Sequence, residues 1–166
     1  LQEIMKNVDV GFSSFYMYVD FSKTSKHPRL TFGAPWDFDW SSGNISDGTY
    51  ARYTGTFNNT NFDHMNPWLY LISHTSFFNE LFKKYYELFT YSEIVENAVN
   101  DNEYITRCFS SEFSKNFAKW RVLGTSQHGY HPSEVLGYKT HEDAANSFNN
   151  WLRNRVGSLD SIYLED

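Results

Sequence analysis

Three carboxylates within the first 44 residues are the strongest candidates for chemistry. Asp9 follows a helix-like opening, LQEIMKN, while Asp37 and Asp39 lie in the aromatic run Trp36-Asp37-Phe38-Asp39-Trp40. Charged groups in such apolar company need a partner or a metal to offset their desolvation. Mg²⁺ takes oxygen ligands and is commonly shared with substrate phosphates, so three converging aspartates would make a divalent-cation site. Taken singly, each also fits an ordinary turn or capping role, its carboxylate accepting from nearby backbone N–H groups.

Convergence depends on the elements between them. Residues 1–7 read as the last turns of a helix already under way, with Leu1, Ile4 and Met5 on one face. The chain is accordingly expected to be the C-terminal part of something longer. Residues 14–19, rich in aromatic and β-favouring types, predict a strand. A polar loop over 21–28 leads to a second strand over 29–32, ending at Gly33. A hairpin returns the chain close to its start, which would bring Asp9 beside the Trp-Asp-Phe-Asp loop.

Beyond a stretch poor in helix formers, residues 41–66, the pattern is helical. Pro67 suits a first helical position, with Trp68, Leu71 and Ile72 giving an apolar face. Ser76 is expected to cap a helix carrying Phe77, Phe78, Leu81, Phe82, Tyr85, Leu88 and Phe89. Ser92 starts another, interrupted by Asn100-Asp101-Asn102 before Ile105, Cys108, Phe109, Phe113, Phe117 and Trp120. Both aromatic stripes read as core. Residues 123–139 form a loop, and Thr140-His-Glu-Asp143 resembles a capping box for a last helix with Phe148, Trp151, Leu152, Val156, Leu159 and Ile162. The expected fold class is mainly α with a small β hairpin, a single domain over 1–166: loops and hairpin in 1–44, helices in 67–166.

Composition narrows the functions open to this chain. Its 166 residues can bury a real core, and aromatics reach 19% (15 Phe, 12 Tyr, 5 Trp), so rings can do the work that Leu and Val usually do. The formal charge of −6 argues against wholesale nucleic-acid backbone binding, which needs a basic face. No apolar run approaches the ~20 residues of a spanning helix. The single Cys108 excludes an internal disulfide framework and reads as a buried, inert thiol in its helical setting.

The front of the chain resembles protein-kinase architecture, in which a catalytic-loop Asp and the Asp of Asp-Phe-Gly are joined by a short hairpin. It is most similar to the CotH (spore-coat protein H) kinase family. The residues that carry the likeness are Asn7-Val-Asp9, the strand segment Ser14-Phe-Tyr16-Met-Tyr18, Gly33-Ala-Pro35, and Trp36-Asp-Phe-Asp-Trp-Ser-Ser-Gly43-Asn44. The segments around Trp68, Phe77-Phe78 and Trp151…Arg153…Arg155 look like that family too. The resemblance implies the helical C-terminal lobe of an atypical kinase, using ATP and Mg²⁺ to phosphorylate Ser or Thr of a coat or secreted bacterial protein, in the spore coat or outside the cell. Asp9 would then be the catalytic carboxylate, Asp37 and Asp39 the metal ligands, and Asn7, Ser14 and Trp36 would face the cofactor. Ser14 stands five residues after Asp9, where a kinase places a metal-binding Asn, and a hydroxyl is a poorer Mg²⁺ ligand than an amide carbonyl. No Gly-rich phosphate loop, strand lysine or partner glutamate is found in the sequence. By the resemblance they belong to an N-terminal lobe, a necessary partner, and the chain alone is expected to be inactive.

Two other readings keep part of this picture. One is a non-catalytic kinase-like module that binds or organises surface proteins. The other is a glycoside hydrolase using two of the three aspartates, although Asp37 and Asp39 on an extended segment would lie only ~7 Å apart along the chain. Elsewhere, the oxygen-rich residues 58–66 could bind Ca²⁺ but lack an EF-hand pattern. His128, His131 and His141 lack metal-ligand spacing. Asn44-Ile-Ser46 and Asn58-Asn-Thr60 are glycosylation-type sequons, and Lys83 and Lys84 read as a solvated helix face.

Overall fold

The long final helix organises the molecule. In the computed structural model, which describes residues 1–10, 14, 16–46, 48–56, 74–89, 91–126 and 129–164, the element order is α1 (Gln2–Met5), β1 (Met17–Tyr18), β2 (Thr31–Phe32), α2 (Gly48–Ala51), α3 (Ser76–Leu88), α4 (Tyr91–Cys108), α5 (Ser110–Lys119), a 3-10 turn (Ser133–Gly137) and α6 (His141–Tyr163). The chain is thus mainly helical with one small antiparallel hairpin. Among the described residues no helix is long and apolar enough to cross a membrane. The Pro67 helix and the oxygen-rich stretch 58–66 lie outside the described residues.

Helix α6 starts as its sequence predicts. The Thr140 hydroxyl accepts from the Asp143 N–H, and the Asp143 carboxylate accepts from the Thr140 N–H, a reciprocal capping box. Its apolar stripe then packs two ways. Leu152 and Val156 meet Val95 and Val99 of α4, with Met5, Tyr91 and Trp151 against them. Leu159 meets Ile4 of α1 and Tyr86 of α3, ringed by Phe82, Tyr91 and Tyr163. Burying each such aliphatic side chain stabilises the fold by about 1.5–3 kcal/mol. The Tyr86 hydroxyl donates to Asp160 at 2.8 Å, so the buried ring keeps its polar end satisfied.

Several sequence-based expectations are corrected. The cap of α3 is Thr75, whose hydroxyl accepts from Phe78 N–H, and Ser76 is the first helical residue. Helix α4 runs unbroken through Asn100-Asp101-Asn102, because the Asn102 amide donates to Asn149 of α6 at 2.8 Å and Arg153 of α6 forks onto Glu96 and Glu103. Those cross-helix bonds outweigh a propensity deficit of a few tenths of a kcal/mol per residue. The break comes instead at Phe109. The aromatic stripes are only partly core. On α3 the row Phe78, Phe82, Tyr86 turns toward α6, while Phe77, Leu81, Tyr85 and Leu88 face outward. Ile105, Phe109 and Trp120 are also exposed, as are Phe148 and Ile162 on α6. Cys108, expected to be buried, is exposed.

Candidate metal centre

Helix α1 ends at Lys6, which takes a left-handed conformation (φ 48°) and turns the chain toward Asn7. Asn7 is fully buried, and its side-chain oxygen accepts from the Asp9 N–H at 3.2 Å, an Asx turn that fixes the aspartate's backbone. Its amide nitrogen also reaches the Asp37 carbonyl at 3.5 Å, a long contact. Two backbone bonds splice the second segment to the first: Val8 N–H donates to Trp40 C=O at 3.1 Å, and Ser42 N–H donates to Met5 C=O at 2.7 Å.

Among the described residues of the intervening hairpin, Met17 pairs with Phe32 and Tyr18 with Thr31, and Gly33 N–H extends the ladder by donating to Tyr16 C=O. That suffices to return the chain, and Asp37 then turns it through a left-handed φ of 60°. Ser41 and Asn44 hold the resulting loop from below, the former donating to Phe38 C=O at 2.6 Å and the latter to Asp39 C=O at 2.8 Å. His131 Nδ1 lies 3.2 Å from the Asn44 side-chain oxygen, so the loop is buttressed from beyond the motif.

Asp9, Asp37 and Asp39 come together at the open end of the hairpin, each offering a carboxylate oxygen within 4.8 Å of the others'. Asp9 is half-buried; Asp37 and Asp39 are exposed. Burial, with the Asp39 and Asp37 charges adding to it, raises the Asp9 carboxyl above its ordinary range. Such crowding of hard oxygen donors suits a divalent cation, whose charge would relieve the mutual repulsion.

The other predicted site residues are placed unequally. Ser14 is buried, and its hydroxyl donates to the Asp37 carboxylate at 2.7 Å. Trp36 is half-exposed at the edge of the loop, its ring 5.9 Å from that of Tyr16. His141 lies away from this centre, beside Thr106 and Phe113, and His128 lies outside the described residues. Among the described residues, the three aspartates are the one set of His, Cys, Asp and Glu with metal-ligand proximity.

Sequence reasoning missed the foundation of the site. Arg155 of α6 is fully buried and uses all five of its N–H donors: on Ile4 C=O, on Glu3 C=O and carboxylate, and on the carbonyls of Tyr53 and Gly55. Lys6, also buried, donates to Arg52 C=O and Thr54 C=O. Together they tie α1, and hence Asn7 and Asp9, to the core and to the chain after α2. The one sequence signal was an arginine at a position that otherwise continues α6's apolar stripe.

No protein-family model matches this chain, and no curated protein and no solved structure matches it.

Proposed function

We propose that this chain is the helical lobe of a CotH-like atypical protein kinase, serving phosphoryl transfer from ATP to a Ser or Thr hydroxyl. The observation that carries the reading is the meeting of Asp9 with Asp37 and Asp39 across a hairpin, in the chain order that a catalytic loop and a metal-binding loop require. Left-handed backbone at Lys6, Asp37 and Ser42 adds support: among the described residues these are the non-glycine positions with positive φ, and all lie in the two segments that build the site.

In this reading Asp9 orients the acceptor hydroxyl and accepts its proton, a task for which a raised proton affinity is suited. Asp37 and Asp39 would hold Mg²⁺, which when bound neutralises phosphate charge. Ser14 fixes the Asp37 rotamer through its hydroxyl. Asn7 acts indirectly, setting the backbone of Asp9, and Trp36 edges the nucleotide. The remaining phosphate-holding groups, and the acceptor protein, are supplied by partners of this lobe.

A second reading, a kinase-shaped binding module without catalysis, draws on the same Ser14 contact. A hydroxyl donating to Asp37 at 2.7 Å occupies one of that carboxylate's acceptor sites. Calorimetric titration of the chain with Mn²⁺ and with ATP, in the presence and absence of Mg²⁺, separates the two. The kinase reading expects cation binding by the aspartates of this chain that is lost in Asp37→Ala, and cation-dependent nucleotide binding once the partner lobe is present. A folded chain that binds no cation overturns it in favour of the module.

A further inference from the structure

Asp37 and Asp39 are held in place by different means. Asp37 is held by its carboxylate, on the Ser14 hydroxyl. The Asp39 carboxylate has no hydrogen-bond partner among the described residues, so its position depends on its backbone, and there the Asn44 amide nitrogen donates to the Asp39 carbonyl at 2.8 Å. Asn44 is met in turn by a segment far along the chain. His131 Nδ1 lies 3.2 Å from the Asn44 side-chain oxygen, across 87 positions of sequence. Beside it, Tyr130 C=O accepts from Ser46 N–H at 2.6 Å, and the Tyr130 ring meets Trp40 edge-on at 5.5 Å. Residues 130–131 therefore touch the stretch after Asp39 at Trp40, Asn44 and Ser46.

The direction of each bond is fixed by what the atoms can do. A carbonyl only accepts, so the Asn44 nitrogen faces Asp39 and the Asn44 oxygen faces His131. An amide oxygen has lone pairs and no proton, so the ring nitrogen opposite it must carry one; a bare Nδ1 would set two acceptors against each other. The neutral ring is then the Nδ1–H tautomer, with its lone pair on Nε2. On the cation-binding reading of the three aspartates, on which this role rests, we infer that His131 is a positioning residue of the acidic centre. Its Nδ1–H fixes the Asn44 amide, and that amide fixes the backbone of Asp39.

Nitrogen-resolved NMR of the metal-free chain, with its imidazoles neutral, should find His131 protonated on Nδ1. The Nε2–H tautomer overturns the inference whatever the aspartates bind. Calorimetry with Mn²⁺ then compares His131→Leu, which has no donor, with His131→Asn, whose side-chain nitrogen hangs from the same γ carbon as Nδ1. The leucine variant should bind Mn²⁺ about tenfold more weakly, the low end for losing an outer partner of a metal ligand, and the asparagine variant should recover most of that loss. Thr140→Ala, which weakens the fold away from the aspartates, is the control for a merely structural effect. A leucine variant no weaker than this control, or an asparagine variant as weak as the leucine one, overturns the role of His131 and leaves the kinase reading untouched. A native chain that binds no Mn²⁺ overturns both.

Discussion

Lys6 shows how a single side chain can couple the site's scaffold to solution conditions. Burial, with the Arg155 guanidinium adding to it, pulls the Lys6 amine down from 10.5 to about 8. Between those values the unfolded chain holds a proton that the folded chain has released, so folding stability attributable to Lys6 rises with pH across that window and is flat below it. Denaturant titrations from about pH 8 to about pH 10 should show this upward slope in the native chain. Lys6→Met should lack it. An identical slope in both would mean that Lys6 stays protonated through the window. Asp9 is displaced in the opposite sense, held protonated further up the scale by burial and its acidic neighbours. Burial is the largest cause of both shifts: by disfavouring the charged form of each group it moves these two neighbours, three residues apart, in opposite directions.

The elements depend on a few close approaches. Gly43 adopts φ 84° under the Trp151 ring, and a Cβ there would sit 2.6 Å from two indole atoms. Trp151 cannot simply retreat, because its indole N–H donates to Ala51 C=O at 2.8 Å. Gly43→Ala combines left-handed strain with overpacking and should cost about 2–4 kcal/mol, read as a lower denaturation midpoint and altered tryptophan fluorescence. Asn44 and Ser41 flank this glycine and hold the Asp37–Asp39 loop, so the variant should also weaken cation binding. At the other end of the fold, Thr140→Ala removes half of the α6 capping box and should cost about 1 kcal/mol in chemical denaturation. It leaves the aspartates untouched, and cation affinity should be unchanged.

Taken whole, the molecule is held together through α6, and Arg155 is the point where the acidic site joins the core. Its guanidinium satisfies four buried or half-buried carbonyls and the Glu3 carboxylate at once. Arg155→Met would leave the Glu3 charge and those carbonyls without their donor, and breaking a buried pair this way costs about 3–5 kcal/mol. Hydrogen exchange should then quicken first at the Val8 and Ser42 amides, which splice the two site segments. Uniform quickening across α4 and α6 would instead mean that Arg155 supports the whole core and not the junction in particular.

Local signals were legible wherever one residue's chemistry decides the geometry. The Thr140–Asp143 capping box, the hairpin and the grouping of Asp9 with Asp37 and Asp39 all follow from side chains that bond to their own neighbourhood or from a chain that doubles back at once. The aromatic stripes were not legible in this way, since periodicity marks an apolar face without saying what will cover it: Phe82 and Tyr86 found α6, and Phe77 and Leu81 found solvent. Nor could spacing disclose that Asn102 would meet Asn149, or that Arg155 would spend its five donors on chain 100 or more residues away. A buried charge is tolerated only where every donor meets an acceptor, and acceptors from residues 3, 4, 53 and 55 become neighbours only after the helices pack.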